Sequence, residues 1–349
     1  MKRVRLAVIG TGGMAKSHAR AFQAIPGCDV VAAVDVDRPR VDAFCREHGI
    51  PQAFYRTEDL LAQADINAVT IVTPDRVHAP IALLCLAARK HVLCEKPLAL
   101  GYPEARAMVA AAQKARVVNL VNFSYRSWPA LHGAAAAVAR GDVGQIRHVE
   151  ASYLQSWLTS KAWGDWRTGP KWLWRLSKRH GSKGALGDIG VHIVDFTTLV
   201  AGPLRSVYCQ LKTFPKARRN RIGPYRLDAH DSAAMTVEFR GGALGTIQCT
   251  RWASGHINRL YLKVCGTKGA VEIDSERSTE QFRLCTGPDL DPAQWQTVTA
   301  PPVPTNYEKF IAAIQHRHAL QPNFARGAEI EKIMDACFAS DAAGHPVKV

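Results

Sequence analysis

The stretch Val4-Arg-Leu-Ala-Val-Ile9-Gly10-Thr11-Gly12-Gly13-Met14-Ala15 decides how the chain begins to fold. A short β-type run leads into a glycine turn and then into a helical pattern over Ala15–Ile25. Between a strand and a helix, a turn of the form G-x-G-x-x-A lets the backbone approach a pyrophosphate at the positive end of the helix. The contacts to a dinucleotide predicted in this turn are Gly10, Gly12, Gly13 and Met14.

The end of the second strand indicates which dinucleotide is bound. Val30–Val34 reads as that strand, and Asp35 follows it, twenty residues after Ala15. A carboxylate there can accept hydrogen bonds from both ribose hydroxyls of NAD and would repel the 2′-phosphate of NADP. NAD is therefore expected and NADP disfavoured, although Arg38 could bind a 2′-phosphate if Asp35 turned away. A glycine-rich turn without a ligand is the alternative that this spacing disfavours.

The pattern up to residue 123 predicts one domain. Strands and helices alternate there, which is typical of a parallel sheet covered on both faces. We therefore predict an α/β Rossmann domain, with a doubly wound parallel sheet, over residues 1–124. Its further predicted elements are the strands Ala68–Val72, His91–Cys94 and Val117–Phe123 and the helices Arg40–His48, Pro80–Ala88 and Pro103–Lys114.

After about residue 125 the pattern changes to strands with tight turns, such as the hairpin signal Gly241-Gly242. Residues 125–349 are predicted to form an α+β domain with a large, mostly antiparallel open sheet, for substrate binding and oligomerisation. Its last helices could pack back on the first domain. The predicted strands are Arg147–Leu154, Ser206–Lys212, Ala233–Phe239, Leu244–Thr250, Arg259–Val264 and Ala270–Ile273, and the helices are Asp188–Val200, Tyr307–Ala319 and Ala328–Ser340.

Two loops of the first domain leave strands at their carboxyl ends, where ligands bind in such sheets. One is Thr73-Pro74-Asp75-Arg76-Val77-His78, and the other is Glu95-Lys96-Pro97. An ordinary turn between strand and helix is the alternative for each, and for Lys96 taken alone it is the favoured one. The cofactor contacts predicted in these loops are Thr73, Pro74, His78, Glu95 and Lys96.

The second informative motif lies in Gly184-Ala-Leu-Gly187-Asp188-Ile-Gly190-Val-His192-Ile-Val-Asp195. Asp188 and His192 stand four apart, on one face of a predicted helix near its start. A carboxylate beside an imidazole orients the ring and raises its basicity, which suits proton transfer near neutral pH. Taken alone, the pair more often consists of an acid that stabilises the helix dipole and a surface histidine.

Together, GTGGMA, EKP at 95–97 and GDIGVHIVD at 187–195 resemble the Gfo/Idh/MocA oxidoreductase family. The resemblance covers essentially the whole chain, and the last two motifs are its most specific part. It implies an NAD(P)-dependent dehydrogenase or reductase acting on sugars, cyclitols or their derivatives. The family pattern places a Lys, an Asp and a His around the substrate, and these map onto Lys96, Asp188 and His192, our predicted catalytic residues.

Oxidation of a secondary alcohol removes a hydride, which the nicotinamide takes, and a proton. His192 is the candidate base, Asp188 would bind substrate and tune the imidazole, and Lys96 would stabilise negative charge on the reacting oxygen. Lys96 as the acid/base, with His192 positioning the substrate, is the alternative.

A tryptophan-rich, basic segment over residues 155–183 is predicted to form a wall of the substrate site. Aromatic faces stack on sugar rings, and arginine binds hydroxyls, carboxylates or phosphates. A subunit contact is an equally weighted alternative for this segment. The predicted substrate contacts, besides the catalytic residues, are Arg126, Trp163, Trp166 and Arg167.

Composition and charge limit the kinds of partner that this protein is expected to bind. Hydrophobic residues make up 47% of the chain, so it can form a core. The formal net charge is +15. Most of the charge lies in residues 161–183 and 212–226, which fits an anionic small molecule, a subunit contact or solvated loops at least as well as nucleic acid. We expect no nucleic-acid partner, and a homodimer or homotetramer formed through the second domain, whose sheet would otherwise expose an apolar face.

Motifs for other classes of protein are not found. Nine cysteines without a C-x-x-C pattern are typical of a reduced, cytoplasmic protein, and neither a secretory signal, a membrane span nor a metal motif is visible. Two further functions stay open: a glycosidase that retains NAD and transiently oxidises its sugar, and a non-catalytic regulator that senses NAD.

Overall fold

The structure is a computed structural model that describes residues 3–316 and 321–349. The chain divides into two compact units. Unit 1 comprises Met1–Ser124 and Pro304–Glu331, and unit 2 comprises Tyr125–Val303 and Lys332–Val349. A single division after residue 124 would place residues 304–331 in the second domain, whereas here they belong to the first unit.

Unit 1 is built on a six-stranded parallel sheet in the order β3-β2-β1-β4-β5-β6. The order reverses between β1 and β4, so a crevice opens there at the carboxyl ends of the strands. The strands are β1 Val4–Ile9, β2 Cys28–Val34, β3 Gln52–Phe54, β4 Ala68–Ile71, β5 His91–Cys94 and β6 Asn119–Val121. The helices are α1 Ala15–Gln23, α2 Arg38–His48, α3 Thr57–Gln63, α4 His78–Ala87 and α5 Tyr102–Ala115.

The core of unit 1 includes residues from far along the chain. Phe22 of α1 lies against Tyr307 and Phe310, with ring centroids 5.1 Å and 6.3 Å apart. Burial of a phenylalanine side chain contributes about 1.5–3 kcal/mol, so these contacts bind residues 304–316 firmly to the Rossmann sheet. The helix α9, Asn306–His316, forms this contact. The end of the predicted helix Tyr307–Ala319 lies outside the described residues.

Unit 2 contains a nine-stranded sheet in the order β16-β15-β14-β13-β7-β12-β11-β8-β17. Its neighbours are antiparallel except β7 and β12, which are parallel. The strands are β7 Ile146–Gln155, β8 Leu204–Lys212, β11 Ser232–Phe239, β12 Leu244–Thr250, β13 Asn258–Gly266, β14 Gly269–Asp274, β15 Gln281–Thr286, β16 Gln296–Thr299 and β17 Val347–Lys348. A separate hairpin consists of β9 Arg221–Ile222 and β10 Tyr225–Arg226.

Helices cover one face of this sheet. They are α6 Pro129–Ala139, which contacts β14 and β15, and α8 Val191–Ala201, which contacts β7, β12 and β13. The short helix α7 is Pro170–Leu173, and α10, Phe324–Ala343, starts in unit 1 and ends in unit 2. The predicted helix Asp188–Val200 is in fact two pieces, because a π-helical turn over Leu186–Gly190 precedes α8.

The other face of the sheet is more polar than we expected. Along β11 and β12 the side chains alternate between buried and exposed, which is typical of a sheet with one solvated face. The exposed positions carry Ala234, Thr236, Thr246 and Gln248, and Leu244 is the large apolar side chain among them. The expectation of an apolar face is therefore wrong for these strands.

Candidate active site

The glycine turn after β1 closes tightly against the loop after β4. Gly10 has φ +89°, and a Cβ atom there would lie 2.7 Å from the carbonyl oxygen of Val72. Only glycine fits this position without strain. A Cβ at Gly12 or Gly13 would meet nothing within 4 Å, so the surface above these two residues is open. Thr73 Oγ1 is buried and has no hydrogen-bond partner among the described residues. The open surface at Gly12 and Gly13, with the Thr73 side chain next to Gly10, fits the phosphates of a dinucleotide.

Asp35 is held firmly at the end of β2. Its carboxylate accepts hydrogen bonds from the Thr11 amide (2.8 Å), the Asp37 amide (3.0 Å) and Arg40 Nη2 (2.6 Å). Burial alone would raise the pKa of Asp35, but the bonds from Arg40, Thr11 and Asp37 outweigh it and lower that pKa. The predicted competitor Arg38 instead lies over the ring of Tyr55, 4.5 Å from its centroid. Arg40, the cation that pairs with Asp35, was not predicted from the sequence.

His78 joins the two predicted cofactor loops. Its ring is fully buried, with Nδ1 2.7 Å from Pro97 O and Nε2 2.9 Å from Thr73 O. Both partners are backbone carbonyls, so the ring positions the loops from below. The structure therefore gives His78 a supporting role, where the sequence predicted a cofactor contact.

Glu95 and Lys96 stand on a buried hydrogen-bond network. Glu95 Oε1 accepts from Asn122 Nδ2 (2.6 Å) and lies 2.9 Å from His18 Nε2, while Glu95 Oε2 accepts from the Lys96 amide (3.2 Å). His18 Nδ1 lies 2.8 Å from Thr70 Oγ1. Burial alone would raise the pKa of Glu95, but His18, Lys96 and Asn122 lower it to about 2. The charged carboxylate thus fixes the backbone of the half-buried Lys96.

His18 was not predicted in this network. The buried residues of α1 are Ala15, His18, Ala19 and Phe22, which is the spacing of one helix face. A histidine on that face needs polar partners inside the fold, and this was the available signal.

In unit 2, Asp188 lies in the π-helical turn and pairs with two arginines. Its Oδ2 accepts from Arg251 Nη2 (2.9 Å), and Arg175 Nε lies 3.9 Å from the same oxygen. The Asp188 side chain is 26% exposed, whereas that of Arg251 is fully buried. The carboxylate therefore stands between a buried cation and the surface. Neither arginine was predicted as its partner.

His192 follows on the first turn of α8 and is packed between aromatic rings. Its centroid lies 4.7 Å from that of Tyr125 and 6.3 Å from that of Tyr153, with the planes inclined by 63° in both cases. The two tyrosine hydroxyls are hydrogen-bonded to each other, and Tyr153 also donates to Asn258 Oδ1 (2.8 Å). Burial raises the pKa of Tyr153 well above its ordinary value, helped by Tyr125. The Tyr153 phenol is thus neutral, and the two rings hold the imidazole in place.

Arg126 forms a different contact from the predicted one with substrate. Its Nε and Nη2 donate to the Asp195 carboxylate at 2.8 Å and 2.6 Å, and both side chains are nearly fully buried. Such a bidentate pair fixes geometry as well as charge. Asp195 lies one turn after His192, so in this structure Arg126 anchors α8.

The tryptophan-rich segment forms its own small core. Trp166 is 2% exposed and donates from Nε1 to Leu158 O (3.2 Å), so it offers no ring face to a sugar in this structure. Trp163 is partly buried and stacks on Trp172 at 6.2 Å. Arg167 is exposed, with its guanidinium 4.6 Å from the Trp166 centroid. The prediction that Trp166 lines the substrate site is therefore not what this structure shows.

The described ranges offer neither a metal site nor a membrane-spanning helix. No group of three or more His, Cys, Asp or Glu side chains there is placed to hold a metal ion. None of the described helices has both the length and the apolar character needed to cross a bilayer.

Comparison with known proteins identifies the family. Residues 4–123 match the model of the oxidoreductase family with an NAD-binding Rossmann fold, and residues 132–272 match the Gfo/Idh/MocA C-terminal domain. The chain is 28% identical to levoglucosan dehydrogenase of Pseudarthrobacter phenanthrenivorans, over 98% of this chain and 97% of that protein.

Solved structures agree over the full length. Levoglucosan dehydrogenase in complex with NADH and levoglucosan is 26% identical, with a TM-score of 0.87 over 100% of this chain and 99% of that one. An oxidoreductase domain protein from Kribbella flavida is 31% identical, with a TM-score of 0.88 over 100% of both chains. The fold, the cofactor turn and these matches together show that the chain belongs to the Gfo/Idh/MocA family of NAD-binding oxidoreductases.

Proposed function

We propose that this protein is an NAD-dependent dehydrogenase that oxidises a secondary hydroxyl of a sugar, a sugar derivative or a cyclitol, or reduces the corresponding ketone. The glycine turn at Gly10–Gly13 and the carboxylate of Asp35 would bind the cofactor. Lys96, Asp188 and His192 would surround the reacting carbon. The sugar class follows from the relatives, because the dehydrogenase that matches the whole chain acts on levoglucosan.

One observation carries the proposal. His192 is buried between the rings of Tyr125 and Tyr153, directly after a turn that presents Asp188. A surface histidine on a helix would need no such packing, so the structural alternative considered for the Asp–His pair explains these contacts poorly. Imidazole held in one orientation is suited to exchange a proton with a bound hydroxyl.

The residues have separate roles in the proposed reaction. When bound, NAD accepts the hydride from the substrate carbon. His192 takes the hydroxyl proton, Lys96 donates a hydrogen bond to the same oxygen, and Asp188 accepts one from a neighbouring hydroxyl. In the reduction, His192 returns the proton to the oxygen. The assignment with Lys96 as the proton carrier and His192 as the positioning group is kept as the alternative.

The test is a panel of sugars, anhydrosugars, inositols and sugar acids with NAD and NADP, followed by the absorbance of the reduced nicotinamide. Levoglucosan and L-sorbose belong in the panel, because structures of the related dehydrogenase hold them. We expect NAD reduction by at least one member and its loss in His192→Ala. Hydrolysis of a glycoside without net NADH would instead identify a glycosidase, and NADH binding without turnover of any member would indicate a regulator.

We also propose that the enzyme works in the cytoplasm as a homodimer or homotetramer. All nine cysteines are free, and eight of them are buried, which is compatible with a reducing compartment. Light scattering of the purified protein tests the oligomeric state, and a monomeric mass would contradict it.

A further inference from the structure

Arg251 is a fully enclosed charged side chain next to Asp188 in unit 2. It follows β12 directly, and its side chain has no exposed surface. Its amide donates to Asp231 O (3.0 Å), and its carbonyl accepts from the Leu158 amide (3.3 Å). The backbone position of this arginine is therefore fixed by two neighbouring segments.

The guanidinium connects three parts of unit 2. Nη2 donates to Asp188 Oδ2 (2.9 Å) and approaches Gly184 O (3.4 Å), and Nη1 donates to Arg175 O (3.1 Å). Its central carbon lies 5.0 Å from the ring centroid of Trp157. One side chain thus contacts the Asp188 motif, the glycine that precedes it and the tryptophan-rich segment.

Burial of a guanidinium is costly unless its charge and its N–H groups are paired. Asp188 is the partner of opposite charge at 2.9 Å, and it is the partly exposed member of the pair. This arrangement differs from an exposed ion pair, in which both side chains can move and the gain is small. The buried guanidinium of Arg251 therefore fixes the orientation of the partly exposed Asp188 carboxylate.

The backbone of Asp188 is held independently of its carboxylate. At the start of the π-helical turn, the Leu186 amide donates to His230 Nε2 (3.0 Å), and the amide of Ala185, the residue before the turn, donates to His230 O (2.8 Å). Burial, helped by the charge of Arg251, lowers the pKa of His230 to about 3, so the ring stays neutral and can accept this bond. His230 therefore sets the turn, and Arg251 sets the direction of the carboxylate.

We propose that Arg251 is the positioning residue for Asp188, and that it links the position of this carboxylate to the folding of the tryptophan-rich segment. The inference rests on the proposed function, in which Asp188 binds a substrate hydroxyl. Lysine has one ammonium group in place of the planar fork, so it cannot reach Asp188, Gly184 O and Arg175 O together. A lysine at this position would leave Asp188 charged but poorly oriented.

The test is a double-mutant cycle on the full chain with Arg251→Lys, Asp188→Asn and both together. We expect Arg251→Lys to lower kcat/KM for the sugar at least tenfold, mostly through KM, with the NADH Kd unchanged. In the Asp188→Asn background the same change should have less than a twofold effect. A merely structural role would instead lower activity equally in both backgrounds, and that result would overturn the proposal.

A control variant, a replacement variant and a stability measurement accompany the double-mutant cycle. Arg259→Lys changes an arginine that forms a bidentate pair with Asp274 on the sheet, and it should leave kcat/KM unchanged. If Arg251→Lys does not fold, Arg251→Gln, which keeps an amide donor, replaces it in the cycle. If the wild type reduces no NAD with any sugar, the proposed function has failed, and urea unfolding of the four proteins still decides the pairing, because additive losses of stability would refute it.

Discussion

The two units hold their candidate catalytic groups by similar means but with different chemistry. In unit 1, Lys96 follows Glu95, whose carboxylate is fixed by His18 and Asn122. In unit 2, Asp188 is fixed by the guanidinium of Arg251. Each reactive residue therefore stands at the edge of a buried polar network.

The difference lies in which networks can change their charge. The Glu95 carboxylate can gain a proton in acid, whereas arginine stays charged at any pH that a folded protein tolerates. Acid should therefore weaken the hydrogen-bond network around Glu95 in unit 1, whereas it leaves the charge of Arg251 in unit 2 unchanged. A candidate catalytic residue is thus positioned by a titratable carboxylate, Glu95, in unit 1 and by a permanently charged guanidinium, Arg251, in unit 2.

The largest effect is expected from a substitution of His192 in unit 2. His192→Ala should lower kcat by about 10² or more while the NADH Kd changes little, because it removes the proposed proton acceptor but none of the proposed cofactor contacts. His148→Ala is the matched control, since His148 is an exposed histidine of the same unit on β7. Stopped-flow measurement of NADH formation gives the rate. A nearly normal rate would remove His192 from proton transfer and favour Lys96.

Lys96→Met tests the unit 1 side in the same assay. We expect kcat to fall by about 10², with the thermal midpoint unchanged, because in the proposed mechanism the ammonium acts on the reacting oxygen and does not support the fold. Lys90→Met provides the contrast, since Lys90 donates to Ile66 O at 2.8 Å and should affect stability alone. A loss confined to folding in Lys96→Met would make this lysine structural.

Glu95→Gln tests the titratable network. The folded pKa of Glu95 lies near 2, below its ordinary 4.5, so its stabilisation is present above pH 4.5 and is lost as the pH falls towards 2. The shift corresponds to about 3 kcal/mol. We expect the variant to be less stable at pH 7 and to show a flatter stability profile below pH 5, with kcat about tenfold lower. Urea unfolding at several pH values measures this, and parallel profiles would contradict the assignment.

The smallest effect concerns the choice of cofactor. Asp35→Ala should reduce the ratio of kcat/KM for NAD over NADP about tenfold, because it removes the proposed acceptor for the ribose hydroxyls and leaves Arg40 with Asp37 as its acidic partner. Asp29→Asn, at an exposed pair with Arg3 on the same strand, should leave the ratio unchanged. Equal ratios in wild type and Asp35→Ala would mean that another residue reads the ribose.

Sequence reasoning succeeded where local pattern and structure coincide. The glycine turn, the strand ends and the alternation of strands with helices are short-range signals, and they correctly predicted the Rossmann sheet and the class of the second domain. The partners of the candidate catalytic residues come from distant segments, as with Asp188 and Arg251, and no spacing rule joins such residues. Trp166 was predicted as a substrate contact but is buried. Composition shows that an aromatic ring is present, but it does not show whether the fold leaves that ring exposed.

Strand β7 has a consequence for how unit 2 assembles. The chain 204–250 can form β8, β11 and β12 from neighbouring segments, and 258–299 can form β13 to β16 in the same way. Within the sheet the two blocks are joined by β7, which lies earlier in the chain and pairs with β12 over His148–Leu154 and with β13 over Ile146–Gln155. Closing that long loop is slow, so weakening β7 should delay refolding more than an equal loss in β16.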